Sequence, residues 1–362
     1  MTTLLFFIAG LAGLVAGAEL LVRGASKLAL SFGLSPLVVG LTVVAFGTSA
    51  PEVAVSVGAV LEGETNIAIG NVVGSNILNV LLILGVSALI TPLVVHLQLI
   101  RQEVPIMIGA SVLLLLFALD GRLALHETAL LAAGVVAYTV FLVVQSRRAS
   151  GEGTADYDAE VRPAPAGAVD ASLPVQLLLI VVGLALLVLG ARGLVHAAVT
   201  FAQRLGLSDV VIGLTVVALG TSMPEIATSL MAAFKGERDM AVGNVVGSNT
   251  FNILGCLGLS GLVAGTQGLQ VPAAVLNFDL WVMLAVALAC LPVFMTGRQI
   301  ARWEGAVFVA YYLAYTAYLV LAAQQHAAAL SAFSAVMLSF VVPLTVITLV
   351  VTLVRGPNHS SA

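Results

Sequence analysis

The chain has 362 residues, 60% of them hydrophobic and only 9% charged, with a formal net charge of −4 at pH 7. A soluble domain carries about 25% charged residues, so the composition excludes an ordinary soluble protein and indicates a membrane protein. The absence of a cluster of Lys and Arg with aromatics argues against nucleic acid as a partner, and the bilayer is the expected surrounding.

A bilayer core of about 30 Å needs roughly 20 apolar residues per helix. In chain order such runs predict spans near 4–22, 36–60, 68–92, 104–119 and 128–145, then 174–191, 210–234, 240–264, 280–296 and 305–323, and an eleventh at 331–354. The first run opens MTTLLFFIAGLAG without a basic start and continues to Val22, which reads as a retained helix and not a cleaved signal. Residues 146–172 break the pattern with eight charges, two prolines and three glycines, a solvated linker. The expected division is a first five-helix repeat at 1–145, a cytoplasmic linker at 146–172, a second, inverted repeat at 173–325, and an extra helix with its tail at 326–362.

Positive charge orients the spans. With the N-terminus outside, the inside segments hold Arg23, Lys27, Arg101, Arg147, Arg148, Arg162, Lys235, Arg238, Arg298, Arg302 and Arg355. The outside segments hold Arg122, Arg192 and Arg204, and eleven against three is a positive-inside bias.

Shifted by 173 positions, the sequence matches itself. Ser35 to Asn79 against Ser208 to Asn252 gives 27 identities in 45 positions without a gap. GLTVVAFGTSAPE is answered by GLTVVALGTSMPE, and GNVVGSN by GNVVGSN. Upstream, Gly17, Ala18, Leu21 and Val22 align with Gly190, Ala191, Leu194 and Val195. Each copy holds five spans, so the second must enter the membrane from the opposite side. Inverted copies of this kind build many secondary transporters, with the substrate site near the midplane where matching interrupted helices meet.

Glu52 and Glu225 sit deep in their spans. A carboxylate at the bilayer centre costs about 2.5–3.5 kcal/mol on insertion scales, and a bound cation would offset it. Pro51 and Pro224 lack a backbone N–H, so each frees carbonyl groups on the turn containing Gly47 or Gly220. Thr48 and Ser49 share a helical face with Glu52, as Thr221 and Ser222 do with Glu225. In the following spans Asn71, Ser75 and Asn79, with Asn76 beside them, form a polar stripe matched by Asn244, Ser248, Asn249 and Asn252. Together the copies would surround one cavity with two carboxylates and a shell of neutral oxygens. Such a shell suits Ca²⁺ or Na⁺ and argues against zinc, copper or iron.

Other residues read as structural. Gly70, Gly74, Gly243 and Gly247 are expected to pack, and Asn71 and Asn244 can serve structural hydrogen bonds as well as an ion. Glu19 suggests a local pair with Arg23, while Asp120, Glu127, Asp279 and Glu304 sit near span ends where interfacial water solvates them. Cys256 and Cys290, both in apolar runs, are expected to pack as small hydrophobes.

The paired motifs GTSAPE…GNVVGSNILN and GTSMPE…GNVVGSNTFN resemble the two alpha-repeats of the cation/calcium exchanger superfamily, in its prokaryotic sodium/calcium exchanger branch. The resemblance covers spans one to ten. It implies an all-α integral membrane fold of ten core helices in two inverted halves, the eleventh helix lying outside that plan. It implies Glu52 and Glu225 as ligands of Ca²⁺ and Na⁺, joined by Thr48, Ser49, Thr221, Ser222, Ser75, Asn79, Ser248 and Asn252, and by the carbonyls of Ala45 and Ala218. Many relatives carry Asp where this chain has Asn252, which puts potassium co-transport in doubt.

The expected function is sodium/calcium antiport by alternating access, with spans one and six sliding on Gly10, Gly13, Gly17, Gly183, Gly190 and Gly193, residues that ordinary packing also explains. No cofactor, enzyme activity or obligate protein partner is called for. A calcium/proton exchanger is the alternative, and a cation channel a weaker one. The expected location is the plasma (inner) membrane of a prokaryote.

Overall fold

The computed structural model describes residues 2–32, 34–151, 172–204 and 218–355. Among them, ten helices are long and apolar enough to cross a membrane. They are α1 (Thr2–Phe32), α2 (Pro36–Leu61), α3 (Thr65–Ile90), α4 (Leu99–Ala118), α5 (Leu125–Gly151), α6 (Leu173–Arg204), α8 (Arg238–Gln267), α9 (Val275–Met295), α10 (Arg302–Ala323) and α11 (Ala327–Thr352). The seventh expected span, 210–234, lies partly outside the described residues. Its described part, α7, runs Ala218–Thr221 and Met223–Phe234. The expected linker lies mostly outside them too, although α5 continues to Gly151.

Four two-residue strands, not foreseen from the apolar runs, settle how the halves are related. β1 (Leu93–Val94), between α3 and α4, pairs antiparallel with β4 (Gln299–Ile300), between α9 and α10. β2 (Arg122–Leu123), between α4 and α5, pairs with β3 (Leu269–Gln270), between α8 and α9. The connection after the third helix of one half therefore shares a membrane face with the connection after the fourth helix of the other. Halves of equal orientation could not make that pairing; the two repeats are inverted.

α1 and α6 are ten or more residues longer than the apolar runs that announce them. Hydropathy ends at Arg23 and Arg192, but the helical ladder does not, because no proline follows either residue within its helix and the two helices pack on each other. At 1.5 Å per residue they span about 46 and 48 Å, more than a bilayer core, and so must cross it tilted or project beyond it. Their backbones touch: a Cβ built on Gly10 would lie 2.8 Å from the Gly190 carbonyl oxygen, and one on Gly183 2.9 Å from that of Gly17. The centre of the protein is made by α2, α3, α7 and α8, of which α8 and α3 are the most enclosed.

Several local expectations change. Gly243 and Gly247 pack on Leu37 and Leu41 as expected, whereas nothing described lies within 4 Å of a Cβ at Gly70 or Gly74. The positions equivalent to Leu37 and Leu41, Val210 and Leu214, lie outside the described residues. Glu19 is paired with the distant Lys235, which a local i,i+4 reading does not foresee. The span-end acids are bonded within the protein: Glu127 accepts the Ala124 N–H and Glu304 the Ala301 N–H, each at 2.7 Å, closing the first turns of α5 and α10. Asp279 accepts from the Tyr315 hydroxyl, and Asp120 from the Arg122 N–H. Cys256 and Cys290 are buried free thiols.

Candidate ion-binding site

Proline sets the shape of the site. α2 is helical to Thr48, breaks at Ser49 (φ −82°, ψ 3°) and resumes at Ala50, with Pro51 in the first turn of the new segment. α7 repeats the break at Ser222 (φ −85°, ψ 6°), ahead of Pro224. Each break leaves a carboxylate in the first turn of the resumed helix, where the helix dipole favours negative charge.

The breaks bring the two repeats together. Ser49 donates to Glu225 Oε1 at 3.0 Å, and Ser222 donates to Glu52 Oε1 at 3.2 Å. The Ser222 hydroxyl also lies 3.2 Å from that of Ser75. Thr48 Oγ1 lies 3.0 Å from the Val44 carbonyl and 3.2 Å from Asn244 Oδ1, and Thr221 donates to Asn71 Oδ1 at 3.3 Å. Asn71 and Asn244 direct their amide protons to Ser56 and Ser229. Their structural role is therefore visible: each holds the threonine of the opposite repeat. The Ala45 carbonyl accepts the Ser49 N–H at 3.0 Å and also lies 3.4 Å from Thr48 Oγ1. Ala218 starts the described part of α7, and only its backbone is described.

Four asparagines cross the pseudo-twofold axis. Asn76 donates to the Asn249 carbonyl and Asn249 to the Asn76 carbonyl, both at 3.2 Å. Asn79 donates to Asn249 Oδ1 at 3.0 Å, and Asn252 to Asn76 Oδ1 at 3.2 Å. With their amide nitrogens engaged in this way, Asn79 and Asn252 present their side-chain oxygens elsewhere.

What remains unpaired is informative. Glu52, Glu225, Ser49, Ser222, Asn79, Asn252, Ser75 and Ser248 are all buried. Glu52 Oε2, Glu225 Oε2, Asn79 Oδ1, Asn252 Oδ1 and Ser248 Oγ have no hydrogen-bond partner. Buried polar atoms are normally satisfied. All five can accept, two of them belong to carboxylates, and oxygens of this kind suit a hard cation. Of the remaining candidate residues, Thr48 and Ala45 are buried as well, Thr221 is half-buried, and only the backbone of Ala218 is described.

Some features left no sequence signal. α3 and α8 widen into π-helical turns at Asn79–Leu84 and Asn252–Cys256, beginning at the two asparagines whose oxygens are unpaired. Such turns often occur at functional sites. Glu103, buried at the start of α4, accepts from Gln98, Gln102 and Tyr138, a cluster assembled from two helices and a connection.

Comparison with known proteins agrees with this geometry. The sodium/calcium exchanger protein family matches residues 2–146 and 175–321. The chain belongs to the sodium/calcium exchanger family. The two matched segments coincide with the two inverted halves. Among family relatives, the protein CaxA of Alkalimonas amylolytica is 39% identical over 316 residues, 86% of this chain and 96% of its own. The sodium/calcium exchanger MaX1 of Methanosarcina acetivorans is 36% identical, covering 86% of this chain and 96% of its own. The solved structure of the sodium-calcium exchanger NCX_Mj superposes with a TM-score of 0.74 at 31% identity, covering 88% of this chain and 99% of that one.

Proposed function

We propose that this family member is an antiporter exchanging Na⁺ for Ca²⁺ across the membrane, by alternating access to a site between the repeats. The supporting observation is the set of five unpaired, buried oxygens drawn from both halves. Glu52 and Glu225 serve as the charged ligands. Thr48, Ser49, Ser75 and Asn79, the matching Thr221, Ser222, Ser248 and Asn252, and the carbonyls of Ala45 and Ala218 complete the shell. Two carboxylates balance one Ca²⁺, and the same oxygens can instead hold Na⁺ ions. Because the two occupancies use the same atoms, loading one cargo displaces the other, which is the requirement for exchange. The positive-inside count supports a plasma-membrane protein with its N-terminus outside and residues 146–172 in the cytoplasm.

The test is calcium-45 uptake into proteoliposomes, driven either by an outward Na⁺ gradient or by a pH gradient. Na⁺-driven uptake is expected. Uptake that answers only to the pH gradient would replace this reading with calcium/proton exchange, and flux without any counter-ion dependence would indicate a channel.

A further inference from the structure

α1 and α6 sit unequally on the two repeats. The shift of 173 carries α1 onto α6 and α2 onto α7. α1 packs along Met223–Phe234 of α7, and its Glu19 pairs with Lys235, the residue that follows that segment. The symmetry-related contact, α6 along Ala50–Leu61 of α2, is all but absent among the described residues. α6 instead covers both helix breaks, with Leu184 against Gly47 and Val195 against Gly220. The structure is therefore closed on the Lys235 side, and the equivalent cleft on the opposite side is not closed in the same way.

Shifting the pair Glu19–Lys235 by 173 gives Arg192 and Glu62. Both positions change sign between the repeats, so the attraction is preserved. Arg192 follows Ala191, matched to Ala18, and Glu62 lies inside the gap-free stretch, so neither equivalence is adjustable. In this structure both side chains are exposed, and neither has a partner among the described residues. With 9% of residues charged, two compensating reversals at one symmetry-related contact are not what packing alone produces.

We infer that Glu19–Lys235 and Arg192–Glu62 are alternating latches. The first holds the cleft on the Lys235 side shut in the conformation described. The second forms when α1 and α6 move so that each half takes the arrangement the other has here. An exposed ion pair is weak, which suits a latch that must open in every cycle: it shifts the balance between the two states a few-fold without trapping either. The inference rests on the antiport reading only in requiring two states.

The test uses the double variant Glu62→Cys with Arg192→Cys, in the full chain in proteoliposomes, with Cys256 and Cys290 left in place because they are buried. Mild oxidation is expected to join the two introduced thiols and arrest Ca²⁺ exchange until a reductant is added. Adding Lys235→Gln, which releases the first latch, should raise the cross-linking rate severalfold. Continued exchange in those vesicles without any cross-link would overturn the latch while leaving antiport intact. An independent arm uses charge: Arg192→Glu should slow exchange severalfold, and adding Glu62→Arg should restore it. Equal loss in the single and the double variant would overturn the pairing, whatever the cysteine variants do.

Discussion

The Ser49 hydroxyl and Glu225 Oε1 lie 3.0 Å apart although 176 positions separate them, and Ser222 and Glu52 repeat the contact at 3.2 Å. Each repeat thus donates a hydroxyl to the carboxylate of the other, and the proposed site draws on both halves. A hydrogen bond to a charged group contributes about 1.5–3 kcal/mol. Ser49→Ala and Ser222→Ala should therefore each weaken apparent Ca²⁺ affinity about ten- to a hundredfold, by similar factors. The half-saturating Ca²⁺ concentration in Na⁺-driven uptake measures this; a large effect confined to one variant would contradict the reciprocity.

Glu52→Gln and Glu225→Gln remove one charge while keeping the volume. Either should abolish Ca²⁺ exchange with unchanged gel-filtration behaviour and helical content. Near-normal transport in either variant would remove that carboxylate from the ligand set.

The α1–α6 contact predicts a steric sensitivity. At Gly190 a Cβ would meet the backbone nitrogen of Leu14 at 2.7 Å, and backbone cannot yield as a flexible side chain can. Gly190→Leu should suppress turnover strongly and lower thermal stability, since overpacking costs about 1–3 kcal/mol. Gly109→Ala, on the exposed face of α4 with nothing described near its Cβ, should change neither. Turnover in proteoliposomes and a melting curve in detergent compare the two.

Asn252 brings an amide, not a carboxylate, to the site. Ca²⁺ uptake driven by Na⁺ should be the same with K⁺ present or absent on either side. An obligatory K⁺ requirement would show that the amide suffices for that ion.

The candidate site stood out in the sequence because the same polar residues occur twice, at one fixed offset, in a chain otherwise poor in polar groups. Glu52 and Glu225 stand out against apolar neighbours, and Pro51 and Pro224 announce the breaks beside them. The asparagine crossing was hidden because Asn76 and Asn249 look like neighbours of the stripe; only the fold brings each across the axis to the other repeat's Asn79 or Asn252. Hydropathy failed to give the full length of α1 and α6, since it measures where lipid ends and not where hydrogen bonding ends. The partner of Glu19 escaped because a long-range pair leaves no periodic trace, whereas Arg23, four residues on, suggests an obvious local one.

The short strands have a mechanical consequence. Each of the two bridges takes one strand from either half, and they lie on opposite faces of the membrane. The connections around α4 and α9 are thereby stitched at top and bottom into a single frame, with α1 and α6 outside the stitching. Among the described residues that frame is tied across the two halves by strand pairing, whereas the two long helices α1 and α6 carry no strand and meet it only through helix packing.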